Sequence, residues 1–164
     1  MSRPEVVADP LLHELDLDVE GVHVVAVGGG SGLARALRAI RHYTDVVTAV
    51  VTVADNGGSS ARLSPALGIL PPGDLRQALL ALSDDDSVWY GLMAYRFDAG
   101  DVAGHALGNL ILAALAEIGD GFEDALATAG RMLGCRGAVV PAADRPMELE
   151  ATVEGQTVSG QVAV

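Results

Sequence analysis

Apolar and polar positions follow two different rhythms along this chain. Val22 to Val27 is a nearly unbroken apolar run, β-branched at most positions, which predicts a buried strand covered on both faces. Leu33, Ala36, Leu37 and Ile40 then recur at helical spacing, with Arg35, Arg38 and Arg41 between them. Val46 to Val53 returns to the strand pattern. These segments make a strand–helix–strand unit, for which a parallel, right-handed crossover is expected.

The stretch 54–73 is rich in loop signals. A helix is expected from Asp74, with Asp74 and Gln77 as a capping box and Leu75, Ala78, Leu79 and Leu82 as its buried stripe, which turns Arg76 outward. Asp84-Asp85-Asp86 ends it. Val88 to Tyr95 reads as a short helix, and Tyr95-Arg96-Phe97 as core flanked by a surface arginine. Leu107, Leu110, Ile111, Ala114, Leu115 and Ile118 mark the strongest helical stripe, followed by a helix from Phe122 to Leu133. Ala138–Val140 is a third short strand. Met147–Val153 and Thr157–Val164 resemble strands around Glu154-Gly155-Gln156. The fold class that follows is α/β, with a doubly wound, mostly parallel sheet. The small strand count and the strand-like run up to Val164 predict a sheet incomplete at its C-terminus. Uncovered edges of that kind favour self-association, so a homo-oligomer fits this reading.

Composition narrows the partners. The net charge of -12 sets the chain against nucleic acid, which calls for a basic footprint. Residues 1–21 hold six of the 22 acids against Arg3 alone and read as a separate acidic segment before a domain over 22–164. All ten cationic side chains are arginines, which rules out a P-loop lysine and Schiff-base chemistry. A single cysteine, Cys135, builds no disulfide and reads as a small buried filler. No apolar run reaches membrane-spanning length and no signal peptide is recognisable, so the expected location is the cytoplasm, away from membranes.

Chemistry concentrates in two loops. Gly28-Gly29-Gly30-Ser31-Gly32 lies between a strand and a helix, where glycine permits close approach of backbone to ligand and free N–H groups favour an anion. The dinucleotide fingerprint is met at Gly28 and Gly30 but has Leu33 at its third glycine, which leaves an NAD(P)-dependent oxidoreductase as a minor alternative. The second loop, Asp55-Asn56-Gly57-Gly58-Ser59-Ser60 with Arg62 behind it, begins at the carboxyl end of the next strand, the edge where open α/β sheets bind ligands. Arg76 is a further candidate anion contact. His105 and Asn109, four residues apart, share a helical face with Leu112 and Ala116, which suits a buried polar contact or a cleft wall. No catalytic triad or metal-ligand cluster can be assigned from the residues, and none of the four histidines is paired at zinc-binding spacing.

These motifs carry a resemblance. Gly28–Gly32, Val51–Ser60, Gly68-Ile69-Leu70-Pro71-Pro72-Gly73-Asp74-Leu75-Arg76 and Gly104-His105-Ala106-Leu107-Gly108-Asn109-Leu110 occur in the order and spacing of the YvcK family, also called gluconeogenesis factor, within the CofD-like superfamily. The resemblance runs from about Val22 to the end of the chain and implies the N-terminal half of a Rossmann-like domain. It implies a binder of a UDP-sugar or another phosphorylated small molecule, influencing carbon metabolism, cell-wall synthesis and cell shape, with no cofactor required. The alternative it implies is a CofD-like 2-phospho-L-lactate transferase of deazaflavin coenzyme synthesis, which would use Mg2+. Asn56 stands where many members carry a second aspartate, so no metal ligands are assigned.

Overall fold

The structure is a computed structural model that describes residues 22–54, 58–147 and 149–160. Three strands, β1 (Val24–Gly28), β2 (Val47–Val51) and β3 (Ala138–Pro141), form a parallel sheet in the order β1-β2-β3. Ala26, Ala49 and Val139 lie side by side in register across it. The fold is a Rossmann-like α/β arrangement. Helix α1 (Gly30–Ile40) joins β1 to β2. Five helices separate β2 from β3: α2 (Gly58–Leu67), α3 (Pro72–Leu82), α4 (Val88–Ala94), α5 (Leu107–Ile118) and α6 (Phe122–Leu133). An antiparallel hairpin, β4 (Glu150–Val153) and β5 (Gln156–Ser159), follows.

The core lies between the sheet and a central helix. Helix α3 packs on α1, α2, α4, α5, α6, β2 and β3, and nine of its eleven residues are buried. This overturns the outward placement of Arg76. A stripe argument assumes one wet face, and α3 has neighbours nearly all round.

Three further expectations change for the same kind of reason. The valine-rich strands are covered on one face only among the described residues. Val47, Ala49, Val51 and Val139 are buried, whereas Val25 and Val27 are 56% and 70% exposed. On α5 the buried residues are Gly108, Asn109, Leu112 and Ala113, while Ile118, the end of the expected stripe, is 81% exposed. Tyr95 and Phe97 stack edge to face at 5.1 Å, but Tyr95 is half exposed, so they are a surface pair rather than core.

Local chemistry explains the ends of the elements. Pro71 and Pro72 start α3, two residues before the expected Asp74, and the capping box does not form, since no side chain of the cap residue bonds the helix. Ser87 caps α4 by accepting from the Tyr90 N–H at 3.0 Å. Helix α2 was hidden in the loop-rich stretch because it is built from Gly58, Ser59, Ser60 and Pro65, all poor helix formers. The thiol of Cys135 donates to the Leu79 carbonyl at 3.3 Å, and burial pushes it up to about 11, so it behaves as an unreactive filler.

Candidate functional site

Parallel pairing fixes where the two loops meet. Gly28 ends β1 opposite Val51, and the Thr52 N–H donates to the Gly28 carbonyl at 2.8 Å, so both loops leave the same edge of the sheet. Gly29 stands before the first turn of α1 in extended backbone. A Cβ there would run into the Thr52 hydroxyl and lie 2.7 Å from a carboxylate oxygen of Asp74, so only glycine lets these three groups close together. Gly30 follows with φ +61, in the left-handed region that costs other residues about 1–2 kcal/mol.

Helix α1 has no acidic side chain in its own first turn. Ser31 and Gly32 are exposed there, and N–H groups in a first turn have no acceptor within the helix. The neighbouring Gly30 N–H donates to Asp74 Oδ2 at 2.7 Å. The other carboxylate oxygen accepts from Gln77 at 3.4 Å. Asp74 therefore joins the glycine loop to α3 instead of capping α3. Its own position, third in α3, is favourable for a negative charge. The sequence holds a signal for this role: Pro72 at the first helical position already starts α3 and frees Asp74 for another partner.

Behind this edge sits a buried polar network. Arg76 is 7% exposed; its Nε donates to Asn109 Oδ1 at 2.9 Å and its Nη1 to the Met93 carbonyl at 3.2 Å. Asn109 Nδ2 donates to Ser59 Oγ at 3.0 Å, and Ser59 Oγ lies 2.9 Å from His105 Nδ1. Burial draws the Arg76 guanidinium below its ordinary range, Arg96 adds to this, and Asp74 and Tyr90 oppose it. Burial also holds His105 below the usual histidine range, aided by Arg62 and Arg96. Gly108 makes the network fit, since a Cβ there would lie 2.5 Å from the Met93 carbonyl and 2.7 Å from Arg76 Cδ.

The candidate residues thus separate into two groups and three single positions, with three more outside the described residues. Gly28, Gly29, Gly30, Ser31 and Gly32 form the loop and first turn at the sheet edge. Ser59, Arg76, His105 and Asn109 form the buried network. Ser60 is buried and its hydroxyl accepts from the Gly73 N–H at 3.0 Å, which closes the start of α3. Arg62 is exposed and donates to the Ala103 carbonyl at 2.8 Å. Gly58 opens α2. Asp55, Asn56 and Gly57 lie outside the described residues. Among the described residues no group of three His, Cys, Asp or Glu is placed to hold a metal ion, and no helix is long and apolar enough to cross a membrane. A groove of about 540 Å³ between α6 and β3 shares no residue with the glycine loop.

Comparison with known proteins gives one consistent answer. The model of the CofD family, described as 2-phospho-L-lactate transferase CofD, matches residues 24–164. The gluconeogenesis factor of Bacillus subtilis is 46% identical over 143 residues, covering 86% of this chain and 45% of its own. That of Listeria innocua is 44% identical over 140 residues, with coverage of 84% and 44%. A Bacillus halodurans crystal structure of the UPF0052 family superposes with a TM-score of 0.78 at 38% identity, covering 86% of this chain and 46% of that one. The chain spans less than half the length of these relatives. With the family model matched over nearly all its length, the chain belongs to the CofD family.

Proposed function

We propose that this chain supplies the phosphate-binding edge of a site for a nucleotide sugar, of which a UDP-sugar is the class implied by its resemblance to gluconeogenesis factors. In this reading the protein is a regulator of carbon metabolism, cell-wall synthesis and cell shape rather than a catalyst. The observation that carries it is the start of α1: exposed Ser31 and Gly32 in a first turn without acids, following a glycine loop at the carboxyl edge of a parallel sheet. A diphosphate would accept from those amides. Asp55 and Asn56 are proposed to orient the nucleoside or sugar, and Arg62 to meet the anion. Leu33, at the position of a third fingerprint glycine, is buried in the core, so this turn packs on the sheet by a different route from the nicotinamide-binding one.

The family's description favours a second reading, a 2-phospho-L-lactate transferase. That reaction calls for Mg2+, and the described residues do not fit it. No three His, Cys, Asp or Glu among them are placed to hold the ion.

Calorimetric titration of the whole protein with UDP-glucose, UDP-N-acetylglucosamine and a phospholactyl donor, each with and without Mg2+, separates the two readings. Saturable binding independent of Mg2+ is expected, and it should be lost in Gly30→Val, which strains the left-handed turn. Unchanged affinity in a folded Gly30→Val protein sinks the phosphate role. Binding that appears only with Mg2+ and a phospholactyl donor supports the transferase.

A further inference from the structure

Four buried polar side chains from three helices and one connecting segment form a single file: Arg76 on α3, Asn109 on α5, Ser59 on α2, and His105 just before α5. Arg76 only donates, so the Asn109 atom it meets is the carbonyl oxygen, and the Asn109 amide nitrogen must face Ser59. Ser59 Oγ accepts that bond. Its own proton then points at His105 Nδ1, which accepts when the ring is neutral and protonated on Nε2. In this order Asn109 and Ser59 each donate once and accept once, and no described buried polar side-chain atom is left without a partner. Ser59 is the second residue of α2, so the file passes through the first turn of the helix that follows the second loop and ends on His105.

We propose that His105 and Asn109, held by Arg76, are positioning residues that fix Ser59 and so aim the first turn of α2 at the ligand edge. The proposal rests on the nucleotide-sugar reading for its ligand, and on the hydrogen-bond file for its geometry. Neither side chain needs to touch the ligand, since both are more than nine-tenths buried. The arrangement depends on a neutral ring. Protonation would turn Nδ1 into a second donor toward Ser59 Oγ and leave the Ser59 proton to find another acceptor. The added charge would face Arg62 on α2 and Arg96 on the segment bridged to Ala106, with Arg76 on α3 behind Asn109. Glu117, the one acid on α5, lies near the far end of that helix.

Two substitutions separate positioning from bulk packing. In His105→Asn the amide oxygen takes the place of Nδ1 as an acceptor but does not titrate; in His105→Phe the ring remains and the acceptor is lost. Affinity for UDP-N-acetylglucosamine is read by calorimetry on the whole protein at about pH 7.5, above the ordinary histidine value, and then at successively lower pH, because His105 is held below that value. His105→Phe should bind roughly tenfold or more weakly at the starting pH, whereas His105→Asn should keep most of the affinity. The wild-type protein should weaken as the pH falls and His105→Asn should not. Amide hydrogen exchange at Leu63 and Ser64, whose helical acceptors are the Ser59 and Ser60 carbonyls, gives a readout that needs no ligand, and it should quicken in His105→Phe and in Asn109→Leu but not in His105→Asn. If the wild-type protein binds no UDP-sugar, the functional reading falls while the exchange data still decide the positioning role. Wild-type affinity in a folded His105→Phe, the same acid weakening in His105→Asn, or exchange unchanged in all variants overturns the proposal.

Discussion

Helices α1 and α3 lie side by side and are tied together at both ends, but by opposite means. At the glycine-loop end Asp74, itself buried, accepts from the Gly30 N–H, and Arg76, two residues further on, begins the buried bonds to Asn109, Ser59 and His105. At the other end Arg41 reaches the Ser83 carbonyl and Asp84, while Arg136 meets Asp84 at 3.3 Å and Asp45 at 3.8 Å. The Asp84 and Asp45 side chains there are 55% and 69% exposed. Water can replace a lost partner at the second end and has little access at the first. The end with charges on display should therefore be the cheaper one to lose, and the end built from a few buried bonds the more costly.

Gly108→Ala tests the buried end most severely. Its Cβ would collide with the α4 backbone at Met93 and with Arg76 Cδ, so either the helix or the guanidinium must move. Overpacking of this kind costs about 1–3 kcal/mol, with the Arg76–Met93 bond at risk in addition, and urea denaturation should place this variant at the upper end of that range. Asp74→Ala comes next. It removes a charged acceptor from the Gly30 N–H and should cost about 1.5–3 kcal/mol in the same assay. A loss below about 0.5 kcal/mol in Asp74→Ala would mean that solvent reaches this end after all, and one as small in Gly108→Ala that α4 or the Arg76 side chain shifts to make room.

The order of these effects could not have been read from the sequence, although much of the frame could. The runs around Val24–Gly28 and Val47–Val51, the helix 122–133 and the hairpin turn are legible because strand and helix periods are local properties. The glycine loop was legible for the same reason. Arg76 escapes the stripe argument because its surroundings are not local: α3 is enclosed by elements from before and after it in the chain. Asp74 and Gly30 are 44 residues apart, and nothing in a helix-capping pattern reports a partner at that distance. The sequence pattern puts His105 on a helical face with Asn109, but α5 begins only at Leu107 and His105 meets the network from the segment before it. Their partner Ser59 lies in a segment whose glycines, serines and proline conceal a helix.

The two ends should also separate by pH. His105 is held below its ordinary value, so folding favours its neutral form. That contribution is complete above about pH 6.5 and is lost as pH falls from there through the lower folded value. Thermal melts should show a decline in stability between neutral and mildly acid pH that is absent from His105→Asn. An identical decline in both proteins would assign the titration to a different group.

Asp84 should give the smallest effect and the latest one on acidification. Its hydrogen bond with Arg41 holds the carboxyl below the usual range, and Arg136 adds to this. The sign is the reverse of a buried histidine's in origin but the same in direction. The ionised form is favoured by folding, so the contribution is complete above about pH 4 and is lost as pH falls through the lower folded value. Its size is limited by exposure. Asp84→Ala should cost less than about 1 kcal/mol, because Arg41 keeps the Ser83 and Ala81 carbonyls and water takes the place of the carboxylate. The loss should also shrink in high salt, where the charges of the wild-type pair are screened, whereas the Asp74→Ala loss should hardly change. Melting both variants at low and high salt makes the comparison in one experiment. A cost for Asp84→Ala equal to that of Asp74→Ala, and equally insensitive to salt, would show that the two ends of the helix pair are held by the same kind of interaction.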